Sequence, residues 1–241
     1  MREGYIKEDN GFHVRQKCID LFTKSIEYTK MDLIEGTQML KSKEDNIDEF
    51  VEEFGSFIHK TVKGTGILAG TLISQAILES SGKDSSGNWK VGGSKLSREA
   101  VNYFGIKSNN GWKGRIYNID TGEVYNGNKV IVNANFRAYN NVKDSIKDYV
   151  SFLKSNGRYA QHGVFEAKTV SEQAKRLKEA GYATSSNYAD TVNKIYLAEK
   201  PIIDESYKQY KNKQVVKIIG LSILYVSIIT GSIYFWKKLK K

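Results

Sequence analysis

Residues 218–236, IIGLSILYVSIITGSIYFW, carry no charge over 19 positions and are bracketed by lysines. Coiled as an α-helix, such a run is about 28 Å long, close to the hydrocarbon thickness of a bilayer, so it reads as a transmembrane helix. Tyr234, Phe235 and Trp236, followed by the basic tail 237–241 (KKLKK), supply the aromatic and cationic flank expected at a lipid surface. Ser227 and Gly231 form a small-xxx-small pair suited to helix pairing. The lipid bilayer is accordingly an expected partner through 218–236, with a mild preference for a cytoplasmic C-terminus. The first residues, MREGYIKEDN, hold no apolar stretch of the kind a cleavable secretory signal needs.

The same lysines account for the net charge of +10. Eight of them lie from Lys208 onward with no acidic residue among them, so residues 1–207 carry only +2. A charge confined to a tail beside an apolar run is no nucleic-acid footprint, and nucleic acid is not an expected partner. Cys18 is the sole cysteine, which excludes a disulfide framework. With His13, His59 and His162 widely separated, a Cys/His zinc cage is excluded on ligand count. The glycine-rich pieces GTGILAG (64–70) and VGGS (91–94) lack the downstream elements of a dinucleotide or phosphate loop. No metal and no cofactor is implied, and chemistry falls to carboxylates, hydroxyls or lysines.

The rest of the chain divides by pattern. Residues 1–45 place Val14, Cys18, Leu21, Phe22, Ile26, Leu33, Ile34 and Leu40 at helical spacing and form an N-terminal helical segment. Residues 46–200 form the main domain. It opens with a helix through Phe50, Val51, Phe54, Phe57 and Ile58, followed by an apolar helix over 66–80. Between about 103 and 137 the helical pattern gives way to alternation around Asn126-Gly127, a strong hairpin signal. Helices resume over 142–154, from the capping box Thr169-Val-Ser-Glu172 to Gly181, and over about 186–199. Pro201 then begins a basic connector, 201–217, leading to the apolar run. The expected fold class is mainly α (α+β): a helical domain with a small β-hairpin lobe, plus a C-terminal transmembrane helix.

Among the carboxylates, Glu79 ends the stretch GILAGTLISQAILE and precedes Ser80-Ser81-Gly82. A carboxyl partly buried at a helix C-terminus is pushed up by desolvation and by the negative end of the dipole, as a general acid requires. Glu123 sits on a hairpin strand, across the groove that a two-lobed domain would leave.

Five segments in order carry a family likeness: SQAILESSG (74–82), NYFGIK (102–107), GEVYNGNKVIVNANFRAY (122–139), DSIKDYVSFL (144–153) and GYATSSNYADTVNKIY (181–196). Over about residues 50–197 the chain resembles glycoside hydrolase family 73, the peptidoglycan N-acetylglucosaminidases of autolysins, flagellar hydrolases and phage lysins. The resemblance implies a lysozyme-like fold and hydrolysis of the β-1,4 bond after N-acetylglucosamine. It implies Glu79 as catalytic acid, Glu123 as the second carboxylate and Tyr188 as the active-site tyrosine. Phe104, Gly105, Ile106, Tyr182 and Asn187 are the implied substrate-binding residues, and Trp89 or Trp112 is a candidate sugar-stacking surface in place of the aromatic that the family carries after its acid. Whether water attacks under Glu123 or the substrate's own N-acetyl group attacks is left open, as are a transglycosylase or muramidase of the same fold and an inactive wall-binding protein. The spacer between Glu79 and Phe104 is longer than the family's and lacks the aromatic that commonly follows the acid. Peptidoglycan strands are the implied partner. Membrane anchoring at the bacterial cell wall, carriage in a phage virion, and docking to phage tail or cell-wall assemblies complete the expectations.

Overall fold

The computed structural model describes the backbone of residues 46–125 and 128–239 and the side chains of 46–121 and 131–222. The expected helical segment 1–45 and the Asn126-Gly127 turn lie outside the described residues, and the surroundings of the Ser227/Gly231 pair and the aromatic and basic side chains from Tyr234 onward lie outside the described side chains.

The centre of the fold is α2 (Ala69–Ser80), preceded by α1 (46–62). Mostly apolar in sequence, α2 is buried from Gly70 to Ile77 and so needs packing partners all round. Leu72, Ile73 and Ala76 are fully buried, in one cluster with Val51 and Ile58 of α1 and with Ile146, Tyr149 and Leu153 further along the chain. Leu68, at the N-cap of α2, provides no side-chain cap. A distant residue substitutes: buried Gln173 accepts from Leu68 N at 2.9 Å and donates to the carbonyls of Gly66 (2.9 Å) and Val164 (2.8 Å). At the other end Ser80 Oγ donates to Ala76 O at 2.6 Å, and Ser81 Oγ donates to Ile77 O. These hydroxyls add a second hydrogen bond to carbonyls of the last turn, Ile77 O also accepting from Ser81 N at 3.2 Å.

The long spacer after Glu79 folds into two short strands, β1 (Gly82–Lys83) and β2 (Trp89–Lys90), followed by α3 (Lys95–Ala100). Ser80 fastens it: its hydroxyl accepts from Gly92 N (3.0 Å), and its carbonyl accepts from Ser94 N and Ser97 Oγ (both 2.9 Å). A second antiparallel pair, β3 (Arg115–Tyr125) and β4 (Asn128–Ala138), forms the β-lobe, in register from Arg115↔Ala138 to Tyr125↔Asn128. That register leaves a two-residue connection at 126–127, where the sequence placed the turn. The base of the hairpin is anchored by buried Phe136, Ala138 and Tyr139 and by Arg137, which pairs with Asp148 at 2.8 Å.

The remaining helices are α4 (Val142–Ser155), α5 (Gly157–Gln161), α6 (Val170–Glu179) and α7 (Tyr188–Leu239), with a 3-10 turn at Val164–Glu166. The capping box opens α6 as expected, with Thr169 Oγ1 accepting from Glu172 N at 3.2 Å. The mainly helical body with two small two-stranded sheets fits a lysozyme-like fold.

Two expectations change at α7. The last helix was expected to stop near Glu199, yet it runs on through Pro201. Proline in a helix interior costs about 3 kcal/mol, and here tertiary packing offsets it. Ile203, Ser206 and Tyr210 are buried beyond the proline. Gly55 of α1 lets the two helices meet closely, since a Cβ there would lie 2.6 Å from Ser206 Cβ. His59 Nε2 lies 3.1 Å from Ser206 Oγ at the same crossing.

The second change concerns the membrane. Among the described residues no helix is long and apolar enough to cross a bilayer. The transmembrane helix expected over 218–236 is therefore corrected, and the bilayer is withdrawn as a partner with it. The run is the end of a helix that starts inside the folded body, and its described part carries Asp190, Lys194, Glu199, Lys200, Asp204, Glu205, Lys208, Lys211, Lys213 and Lys217. Up to Ser222, where the described side chains end, these charges leave no apolar window of bilayer length.

Candidate active site

Glu79 lies in the last turn of α2, half-buried. Removal of water raises its carboxyl from 4.5 to about 7, with burial as the cause. Beside it runs the segment after α3, where Gly105 adopts φ 62°, a left-handed conformation that glycine takes without strain. A Cβ built on Gly105 would stand 3.9 Å from Glu79 Oε2, so this backbone forms one wall of the carboxyl's surroundings. Asn102 holds the wall in place. Its amide donates to the carbonyls of Ile106 (3.0 Å) and Arg137 (2.8 Å), and its oxygen accepts from Phe104 N (3.3 Å) and Ile106 N (3.1 Å).

An aromatic cluster adjoins the carboxyl, close enough for Tyr182 and Tyr188 to feel its charge. Phe104 stacks on Tyr149 of α4 with ring centroids 4.2 Å apart and planes 12° from parallel. Tyr182 meets Tyr149 edge-on at 5.9 Å and donates its hydroxyl to Phe104 O at 2.9 Å. Tyr188, in the first turn of α7, lies 5.7 Å from the Tyr182 ring and accepts from Gln75 Nε2 at 2.6 Å. Burial, and next the charge of Glu79, push the Tyr188 phenol well above 10, so it keeps its proton at any working pH. The Tyr182 phenol is raised chiefly by burial and then by its tyrosine neighbours and Glu79. A carboxyl titrating near neutrality, surrounded by neutral phenols, can deliver a proton to a leaving group in the cleft.

The structure thus brings Glu79, Gly105, Phe104, Tyr182 and Tyr188 together. Glu123 lies on β3 opposite Val130, and its side chain is outside the described residues. Ile106 is buried, 3% exposed, and serves the segment through its backbone. Trp112 sits at the base of the hairpin with the Arg137 guanidinium 4.7 Å over its ring, and its Nε1 donates to Arg115 O at 2.9 Å. Asn187 is exposed just before α7, and its carbonyl accepts from Thr191 N and Thr191 Oγ1, both at 2.9 Å. Two residues were missed from sequence: Gln75, which bridges Tyr149 and Tyr188, and Tyr149 itself. The usable signal was a glutamine four residues before Glu79, on the same face of the helix. Among the described residues no three His, Cys, Asp or Glu side chains converge as metal ligands would.

A family model described as mannosyl-glycoprotein endo-β-N-acetylglucosaminidase matches residues 55–200. The chain belongs to this glucosaminidase family. It is similar to the peptidoglycan hydrolase FlgJ of Escherichia coli, 34% identical over 150 residues that cover 61% of this chain and 44% of that protein. It is also similar to the exo-glucosaminidase LytG of Bacillus subtilis, 33% identical over 171 residues, 68% of this chain and 56% of that one. The chain thus spans less than two thirds of the length of the FlgJ proteins and of the LytG that it matches. Its fold resembles the catalytic domain of the autolysin Auto from Listeria monocytogenes, with TM-score 0.51 and 25% identity over 69% of this chain and 86% of that one. A peptidoglycan hydrolase mutant from Sphingomonas sp. A1 shares the fold at TM-score 0.53 and 24% identity, covering 67% of this chain and 99% of that one.

Proposed function

We propose that this glucosaminidase is a glycoside hydrolase that cleaves the β-1,4 bond between N-acetylglucosamine and N-acetylmuramic acid in bacterial peptidoglycan, acting at the cell wall. The observation that carries the reading is a half-buried Glu79 carboxyl raised to about 7 beside Tyr188 and the Gly105 backbone. Near neutral pH a carboxyl of this kind is protonated in a large fraction of molecules and can protonate the glycosidic oxygen as positive charge builds on the sugar. Residues 46–200 form the catalytic domain in this reading, and the α7 turns around Ile203 and Tyr210 complete its packing.

A second group must then meet the developing cation. Glu123 on β3 is the proposed carboxylate, activating a water on the far side of the ring, and Tyr188 donates to the acetamido group of the sugar. Phe104, Gly105 and Tyr182 shape the wall on which the saccharide lies. Ile106, Trp112 and Asn187 contribute through the positions of their segments. The expected carriage in a phage particle and docking to an assembly have no observation behind them and form no part of the proposal.

The test is digestion of purified peptidoglycan with the full chain, followed by borohydride reduction and mass spectrometry of the new glycan ends. Reduced N-acetylglucosamine ends that vanish with Glu79→Gln are expected. Anhydro-muramic ends, or reduced muramic ends, would overturn the bond assignment in favour of a transglycosylase or muramidase.

A further inference from the structure

The hydroxyls of Tyr149 and Tyr188 are joined through a buried amide. Gln75 lies one helical turn before Glu79 on the same face of α2 and is fully buried. Its Nε2 donates to the Tyr188 hydroxyl at 2.6 Å, and its Oε1 accepts from the hydroxyl of Tyr149. Tyr149 is itself fully buried, with its ring fixed between Phe104 and Tyr182. It has no surface that a glycan can touch.

The direction of these bonds follows from what Tyr149 needs. Gln75 is the hydrogen-bond partner of the Tyr149 hydroxyl among the described residues. Were the amide turned over, Nε2 would face Tyr149, and the proton of that fully buried phenol would lose its acceptor, whereas in the direction shown the proton left without Gln75 is that of Tyr188, which lies in the field of the Glu79 carboxyl. Tyr149 therefore sets the amide, and the amide occupies a lone pair of Tyr188. The proton of Tyr188 is then left to point away from Gln75.

We infer that Tyr149 and Gln75 are positioning residues, forming a one-way hydrogen-bond relay, Tyr149 O–H to Gln75 to Tyr188 oxygen, that makes Tyr188 a hydrogen-bond donor toward the saccharide and denies it the acceptor role. The inference rests on the proposed glycosidase reading for its catalytic consequence, while the relay itself exists in the resting protein. A donor at this place matches an acetamido carbonyl, whose orientation beside the anomeric carbon matters whether water or that carbonyl attacks. With the relay cut, Gln75 is free to turn its Oε1 toward Tyr188 and take up the proton.

The relay is tested in two arms with the full chain. In the first, a double-mutant cycle on peptidoglycan cleavage, Tyr149→Phe keeps the stacked ring and removes only the hydroxyl. It is expected to lower kcat about ten-fold with a smaller change in KM, and to change kcat less than about two-fold when Tyr188 is already Phe. The near-isosteric Gln75→Met is expected to show the same dependence on background. Equal effects of these variants in both backgrounds would overturn the relay, because a merely structural loss does not depend on the Tyr188 hydroxyl. The second arm needs no substrate: proton NMR of the resting protein is expected to show a slowly exchanging hydroxyl proton that disappears in Tyr149→Phe. A protected hydroxyl proton that disappears in Tyr188→Phe instead would mean the opposite polarity and overturn the inference. If the wild-type chain released no glycan ends, the functional reading would fall while this second arm still decided the relay.

Discussion

Two apolar stretches of this chain, α2 and the far end of α7, both form helix and meet opposite surroundings. In α2 every residue from Gly70 to Ile77 is buried. In α7, Val215, Val216, Ile218, Ile219 and Leu221 are all more than half exposed. The contrast teaches that apolar content makes a helix eligible for burial, while partners at a distance decide whether burial happens. For α2 those partners come from α1, α4, α6 and α7. For α7 the packing against α1 reaches Tyr210. The polar residues within each stretch differ accordingly. Gln75 and Glu79 are held inside α2's packing, one by two phenols and the other in a desolvated pocket, whereas the lysines of α7 are spread along its solvent side.

The largest effect expected from this contrast is on activity. Glu79→Gln should lower the rate of peptidoglycan cleavage by roughly 10²- to 10⁴-fold, since the amide has no proton to give, and an assay of released reducing ends checks it. On stability, Ile73→Ala, at a fully buried position of α2, should cost about 2 to 5 kcal/mol in urea unfolding. At the α1–α7 crossing, Gly55→Ala forces a Cβ against Ser206 and should cost about 1 to 3 kcal/mol, with a matching drop in Tm. The smallest effect belongs to the exposed helix: Ile219→Ala, more than half exposed, should change stability by less than about 0.5 kcal/mol. A loss at Ile219 as large as that at Ile73 would break the comparison.

Between these lies an effect of pH. The folded state raises Glu79 from 4.5 to about 7, so between those values the native protein holds a proton the unfolded chain has lost. Stability therefore falls as pH rises through that window and is level above it. Glu79→Gln removes the dependence. The variant should match wild type near pH 4 and exceed it by about 2 kcal/mol at pH 8, a figure reduced for the water reaching the carboxyl's open side. Denaturant unfolding at the two pH values measures the difference.

What could be read in advance was local or carried by motif. Helical periodicity gave α1, α2, α4 and α6, and the run ILESS placed Glu79 where a helix ends inside the body. The likeness of NYFGIK and GYATSSNYAD to family segments brought Phe104, Tyr182 and Tyr188 to the same site. Features resting on contacts across the chain were illegible. Tyr149 looked like any core residue of α4 because its bond to Gln75 joins positions 74 residues apart. Trp112 looked free to stack on sugar because nothing local announces Arg137 above it. Pro201 looked like a stop because the packing of Ser206 on Gly55, which carries the helix past it, lies 151 positions away along the chain. The 218–236 run misled for a related reason: an uncharged window was read apart from the charged helix that it continues.

The most direct test of the account is a ¹³C NMR titration of the Glu79 carboxyl in the resting protein, assigned by its loss in Glu79→Gln. A midpoint near 7 is expected, coinciding with the pH above which peptidoglycan cleavage declines. A midpoint near 4.5 would leave Glu79 ionised at neutral pH and contradict its role as the proton donor.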